Sequence, residues 1–169
     1  MNLQEEVRLK TKEFRKDSYP MSIGEIINLY NNNEIIINPE FQRYFRWTVQ
    51  QKSKFIESIL LGIPIPSIFV YQGEDGVWEL VDGLQRVSTI IEFVGSLRGE
   101  NGEKREPLIL EGTKILPSLE KVRWEGTNDK DYSLPMPLKL DFKRSKIQIE
   151  IIQKESDANA KFEVFERLN

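Results

Sequence analysis

The stretch from Thr48 to Leu97 leaves this chain little choice of architecture. Thr48 and Gln51 have the spacing of a capping box, Phe55, Ile56, Ile59 and Leu60 share one helical face, and Gly62 stands where a C-terminal cap belongs. Ile63-Pro64-Ile65-Pro66 then forces extended backbone, because each proline also biases the residue before it. Ile68 to Tyr71 and Val77 to Val81 read as strands joined through Gly73-Glu74-Asp75-Gly76, the pattern of a hairpin. After Asp82-Gly83 a helix is expected to about Leu97, with Val87, Ile90, Ile91 and Val94 on its buried side. Helix, hairpin and helix in direct succession predict a mixed α/β (α+β) domain.

The flanks extend this pattern unevenly. Ser22-Ile23-Gly24-Glu25 has the S-x-x-E form of a second capping box, with Ile23, Ile26, Ile27 and Tyr30 at helical spacing and Asn31 to Asn33 as the stop. Ile35 to Ile37 reads as a short strand ended by Asn38-Pro39. Residues 1–19 alternate acidic and basic side chains and read as a charged arm or short helix, so the domain is placed at 20–169. Glycines and prolines break the pattern repeatedly over 98–145; Leu108 to Leu110 has the look of a strand, and Leu134 to Leu138 looks extended. Ile147, Ile149 and Ile151 alternate within a strand over Lys146 to Gln153, and Ser156 opens a helix carrying Phe162, Phe165 and Leu168. No closing signal comes after that helix, so truncation of the domain at its C-terminal end is expected.

Two absences bound the chemistry. The chain has no Cys and no His, which excludes disulfides, zinc sites of the usual kind, Cys nucleophiles and His general bases. What is left is carboxylates, Arg, Lys, hydroxyls, amides, backbone groups and an oxygen-liganded metal such as magnesium. With 24 basic against 27 acidic residues, any nucleic-acid contact has to be a local patch rather than an overall field. No apolar run approaches the roughly 20 residues of a membrane helix, and no secretory signal opens the sequence, so a cytoplasmic location is expected by default.

Val81-Asp82-Gly83-Leu84-Gln85-Arg86-Val87-Ser88-Thr89 is the first candidate site. A strand end, a glycine turn and a helix start collect backbone N–H groups and a positive helix end, which suits phosphate. Gly83, Arg86, Ser88 and Thr89 are candidate phosphate contacts, Arg86 by a two-pronged hydrogen bond. Gln85 is a candidate to position water or read a base, and Asp82 to hold magnesium together with substrate phosphates. The competing reading is a common Asp-Gly turn followed by a solvated arginine, and the local pattern taken alone favours it over the functional one. The second candidate is Asn38 to Trp47, where Gln42, Arg43 and Arg46 lie among four aromatics. Arginine with aromatics can clamp a nucleotide; Phe41, Phe45 and Trp47 read rather as core anchors with the arginines pointing outward, while Gln42 and Arg43 fit either reading. Glu163, Glu166 and Arg167 are spaced as a solvated helix face with a Glu163–Arg167 pair. Lys139, Lys143, Arg144 and Lys146 read as solubility or as backbone contacts to nucleic acid.

Taken together, Pro39-Glu40-Phe41-Gln42-Arg43-Tyr44 with Trp47, Glu57 to Pro66, Val81 to Arg86, and the closing Phe165-Glu166-Arg167-Leu168-Asn169 resemble the amino-terminal domain of GmrSD-type restriction endonucleases. The resemblance runs from about Ile23 to Asn169 and leaves 98–145 unmatched. It implies a ParB/sulfiredoxin-like fold, a small sheet with flanking helices, often fused to or partnered by a nuclease domain and acting in defence against foreign DNA such as phage. It also implies nucleoside triphosphate binding and hydrolysis, with Asp82, Gln85 and Arg86 as the matching catalytic residues and Gln42-Arg43 as the upstream pair. Leu84 departs from the family's Asp-Gly-Gln-Gln-Arg form. An apolar side chain neither donates to phosphate nor orders water, so binding is implied more directly than hydrolysis. The expected function is therefore an NTP-binding, NTP-hydrolysing regulatory domain of a DNA-directed restriction protein. The alternatives are a non-catalytic DNA-binding module contacting phosphates through Arg43, Arg46 and Arg86, or metal-dependent nicking by Asp82 with Glu79 or Glu40.

Overall fold

The computed structural model describes residues 2–11, 16–38, 46–126, 132–152 and 158–168. Its elements run α1 (Leu3–Thr11), β1 (Lys16–Ser22), α2 (Ile23–Asn31), β2 (Ile35–Ile36), α3 (Val49–Leu61), β3 (Ile68–Gln72), β4 (Trp78–Asp82), α4 (Leu84–Phe93), a 3-10 turn (Pro117–Leu119), α5 (Met136–Arg144), β5 (Lys146–Ile152) and α6 (Ala158–Leu168). The expected mixed α/β class is what forms. Among the described residues no helix is long and apolar enough to cross a membrane.

The helix signals act through the atoms the sequence assigns them. Ser22 Oγ accepts from Glu25 N–H at 3.1 Å. At α3 the box is reciprocal: Thr48 Oγ1 accepts from Gln51 N–H at 3.2 Å, and Gln51 Oε1 accepts from Thr48 N–H at 2.9 Å. Gly62 ends α3 with φ +74°, the left-handed cap that a residue without Cβ adopts freely.

The five strands are ordered β1-β5-β3-β4-β2. β1 runs antiparallel to β5, β5 parallel to β3, β3 antiparallel to β4 in the hairpin, and β4 parallel to β2. The last strand in sequence thus lies in the interior of the sheet. Ile149 is in register with Ile68, and Ile151 with Val70, and all four are buried. With Met21, Leu80 and Ile147 they form the face on which Ile26, Ile56, Val87, Ile90 and Ile91 of the helices close the core.

Four elements differ from expectation. α4, expected to reach about Leu97, ends at Phe93 with Val94 as its cap, because Gly95 follows in the left-handed region at φ +82°. β1 lies partly within the segment read as an arm: its Lys-Asp-Ser-Tyr-Pro run carries little apolar patterning, and it is a strand because β5 supplies a partner over seven residue pairs. Pro20 fits there because β1 is the edge of the sheet. Leu108 and Leu110 are buried without forming a strand; Leu110 instead exchanges backbone hydrogen bonds with Lys121 and Val122. The segment read as extended from Leu134 becomes α5 at Met136, since Pro137 falls in its first turn, where no intrahelical N–H is required. The expected helix start at Ser156 lies outside the described residues, and α6 is described from Ala158.

Phe142 of α5, fully buried, meets Phe93 at 5.6 Å and Trp124 at 5.5 Å between ring centroids, and Phe93 meets Trp124 at 5.6 Å. This triad joins α4, α5 and the stretch around Trp124. Phe142→Ala should therefore cost about 3–5 kcal/mol, read as a lower urea midpoint at unchanged slope.

Candidate functional site

The site is built on the turn between β4 and α4. Gly83 sits there at φ +96°, and a Cβ on it would lie 2.5 Å from Ile68 Cγ2. Only a glycine lets the chain leave β4, turn, and start a helix while pressed on the first residue of β3. Gly83 is also the N-cap of α4 and provides no side-chain acceptor, so the helix starts uncapped. The first-turn N–H groups of any helix lack intrahelical partners and carry its positive end.

Arg86 stands on that first turn. Its Nη2 donates to Ser67 O at 3.0 Å and to Asp82 Oδ2 at 3.4 Å, tying the start of β3 to the end of β4. The two side chains are only 14% and 19% exposed. Arg86 Nε is buried and has no hydrogen-bond partner among the described residues. Burial pushes the Arg86 pKa down, and Asp82 opposes that shift. The Asp82 orientation has its own device. Val70 pairs with Leu80, but Phe69 pairs with Asp82, so β4 carries one extra residue at this point. Such a bulge turns the strand end and re-aims the side chain beyond it.

Gln85 reaches the other way. Its Oε1 accepts from the backbone N–H of Arg46 at 3.1 Å and of Trp47 at 3.0 Å. Trp47 is held against Phe55 of α3, ring centroids 5.6 Å apart. Together these residues open onto a cavity of about 600 Å³. Asp82, Gly83, Gln85 and Arg86 line it, together with Trp47, Leu84, Phe165 and Glu166. Phe165 and Glu166 come from α6, which packs along β4.

Sequence reasoning therefore brings Asp82, Gly83, Gln85 and Arg86 to one place. Trp47, assigned to the core, serves both the core and the cavity. Phe165 and Glu166, read as an apolar position and a solvated one, were missed as lining residues; the closing Phe165-Glu166-Arg167 run was the available signal. Ser88 and Thr89 are not in the lining: both are buried, and Thr89 Oγ1 donates to Gln85 O at 2.6 Å. Arg46 is exposed and contributes its backbone N–H. Gln42 and Arg43, together with Glu40, Phe41, Phe45 and Asn169, lie outside the described residues. Glu79 is outside the lining and accepts from Asn38 Nδ2 at 2.7 Å. Among the described residues no three carboxylates are grouped to hold a metal ion. Asp82 thus fits magnesium only as the single protein carboxylate beside ligand phosphates, an arrangement that ion accepts. The expected Glu163–Arg167 pair forms at 2.8 Å on the exposed side of α6. Lys139 and Lys143 lie over the Trp124 ring at 5.5 and 5.9 Å.

The family model described as GmrSD restriction endonuclease, N-terminal domain, matches residues 23–169, and the chain belongs to that family. Membership implies DNA and a nuclease domain as the company such a domain keeps. Neither a curated protein nor a solved structure matches the chain.

Because Gly83 meets Ile68 so closely, Gly83→Ala should destabilise the fold by roughly 1–3 kcal/mol through strain and overpacking. Thermal unfolding checks this, and in an Ile68→Ala background, which is itself destabilised by loss of a buried side chain, the further cost of Gly83→Ala should be smaller than in the intact chain.

Proposed function

We propose, from this family membership, that the cavity over the Gly83 turn holds a nucleoside triphosphate by its phosphates, and that its occupancy regulates a DNA-directed restriction or defence protein. The observation that carries the reading is the buried Arg86 Nε, without a partner among the described residues, beside an uncapped helix start. A buried guanidinium nitrogen left unmatched is costly, and an anionic oxygen is the partner that removes the cost. The same oxygen gains from the first-turn N–H groups of α4. Asp82 would carry the protein's share of a magnesium ion that arrives with the phosphates. A cavity of about 600 Å³ is of the size that takes a small organic ligand.

Leu84 limits the chemistry once a ligand is bound. It is 9% exposed and belongs to the main apolar core. It therefore brings no group to orient water at the phosphates, and the reading is of a binding and sensing domain whose turnover is slow. A duplex-binding surface is less favoured, because Arg86 is 14% exposed and held by Asp82 rather than presented outward.

Calorimetric titration with ATP, GTP and CTP in magnesium should give binding by at least one of them. Arg86→Ala should weaken it by about ten-fold or more, in line with loss of a charge-assisted pair. Unchanged affinity in that variant would remove the phosphate site from this turn.

A further inference from the structure

The cavity lining is of two chemistries. One part is the polar turn already assigned to phosphate. The other is aromatic: Trp47 and Phe165, two half-buried rings from separate parts of the chain, border the same space, with Leu84 and Glu166 completing the lining. Phosphate has no use for aromatic faces, whereas a nucleobase does: stacking on a ring is favourable for every base. The Trp47 ring is fixed in place from two sides. Phe55 packs on it at 5.6 Å. Gln85 Oε1 takes the backbone N–H of both Arg46 and Trp47, so the segment entering α3 is tied to the first turn of α4.

We infer that Trp47 and Phe165 form the base-holding half of the site, and that Gln85 is a positioning residue acting through Trp47. This rests on the phosphate reading above, and it adds that the ligand is selected as a nucleotide rather than as a polyphosphate anion. It also gives Gln85 a different task from its neighbours in the Asp82 to Arg86 run. Asp82 and Arg86 bear on the phosphate end; the amide oxygen of Gln85 holds the backbone that carries Trp47. Phe165 lies on α6, so a base seated against it would hold α6 to β4.

The test compares a magnesium nucleoside triphosphate with magnesium tripolyphosphate, the same anion without base or ribose. The intact chain should bind the nucleotide on the order of ten-fold more tightly, the scale of one stacked base. Trp47→Leu and Phe165→Leu keep apolar bulk and should bring the two affinities together by weakening the nucleotide alone. Gln85→Met should do the same, while Gln85→Glu, which keeps an acceptor for both N–H groups, should preserve the ratio even if its charge lowers both affinities. A merely structural role for Gln85 would move both ligands together and leave the ratio unchanged in the methionine variant. Should a leucine variant fail to fold, Trp47→Phe and Phe165→Tyr keep a ring and should retain the preference. Equal binding of nucleotide and tripolyphosphate by the intact chain would overturn the base subsite and leave the phosphate site standing. Binding of neither would overturn both.

Discussion

The approach of Gly83 to Ile68 is the contact on which the rest of this molecule is arranged. Strand β4 must end, reverse its course over the start of β3, and begin a helix within two residues, and there is room for this only if position 83 has no side chain. Once the turn is made, the first turn of α4 stands directly over the ends of two neighbouring strands. Arg86 can then reach back to Ser67 O and Asp82 while Gln85 reaches outward to the backbone at Arg46 and Trp47. One steric allowance thus sets the place of a cation, a carboxylate, a helix end and an aromatic ring. Larger side chains enforce the same arrangement from outside: Phe93, Trp124 and Phe142 lock the far end of α4, and the Lys52–Glu92 pair at 2.9 Å links it to α3.

How much of this was written locally differs from element to element. Capping boxes, a left-handed glycine and alternating isoleucines describe neighbours in sequence, so α2, α3, the β3–β4 hairpin and β5 were legible. β1 was not, because Lys16 to Ser22 has no apolar alternation of its own and becomes a strand through pairing with residues more than a hundred positions away. α5 was hidden by prolines that break most helices but are harmless in a first turn. The irregular stretch before it is ordered by isolated backbone bonds such as Leu110 with Lys121 and Val122, and by the buried hydroxyl of Thr113 donating to Glu57. Neither device leaves a periodic trace.

The site divides along the same line. Asp82, Gly83, Gln85 and Arg86 were legible because five consecutive residues share one turn. The direction in which each side chain points was not. Gln85 lies next to Arg86 in sequence, yet the two reach toward different parts of the fold, one to a loop and the other to the strand ends. Nor does local pattern reveal that Phe165 of α6 and Trp47 before α3 border one space, since they are separated by almost the whole sheet-forming chain. Ser88 and Thr89 illustrate the converse. Hydroxyls near a phosphate-like turn attract attention, but one helical turn further on the same helix faces the core, and both are buried.

The order of strands has a consequence for a chain made from its amino terminus. Until β5 emerges from the ribosome, β1 on one side and the β3–β4 hairpin on the other have no common partner, and Ile68 and Val70 lack the isoleucines that face them. The nascent chain therefore carries an open β3 edge and an uncovered apolar face until residues 146–152 have been made, the condition under which strand edges invite wrong partners. Closure of the sheet waits on β5, which draws β1 and the hairpin together at once. Only then does the stretch beyond β5 meet a finished β4 on which to settle, so α6 and the cavity it borders are completed last.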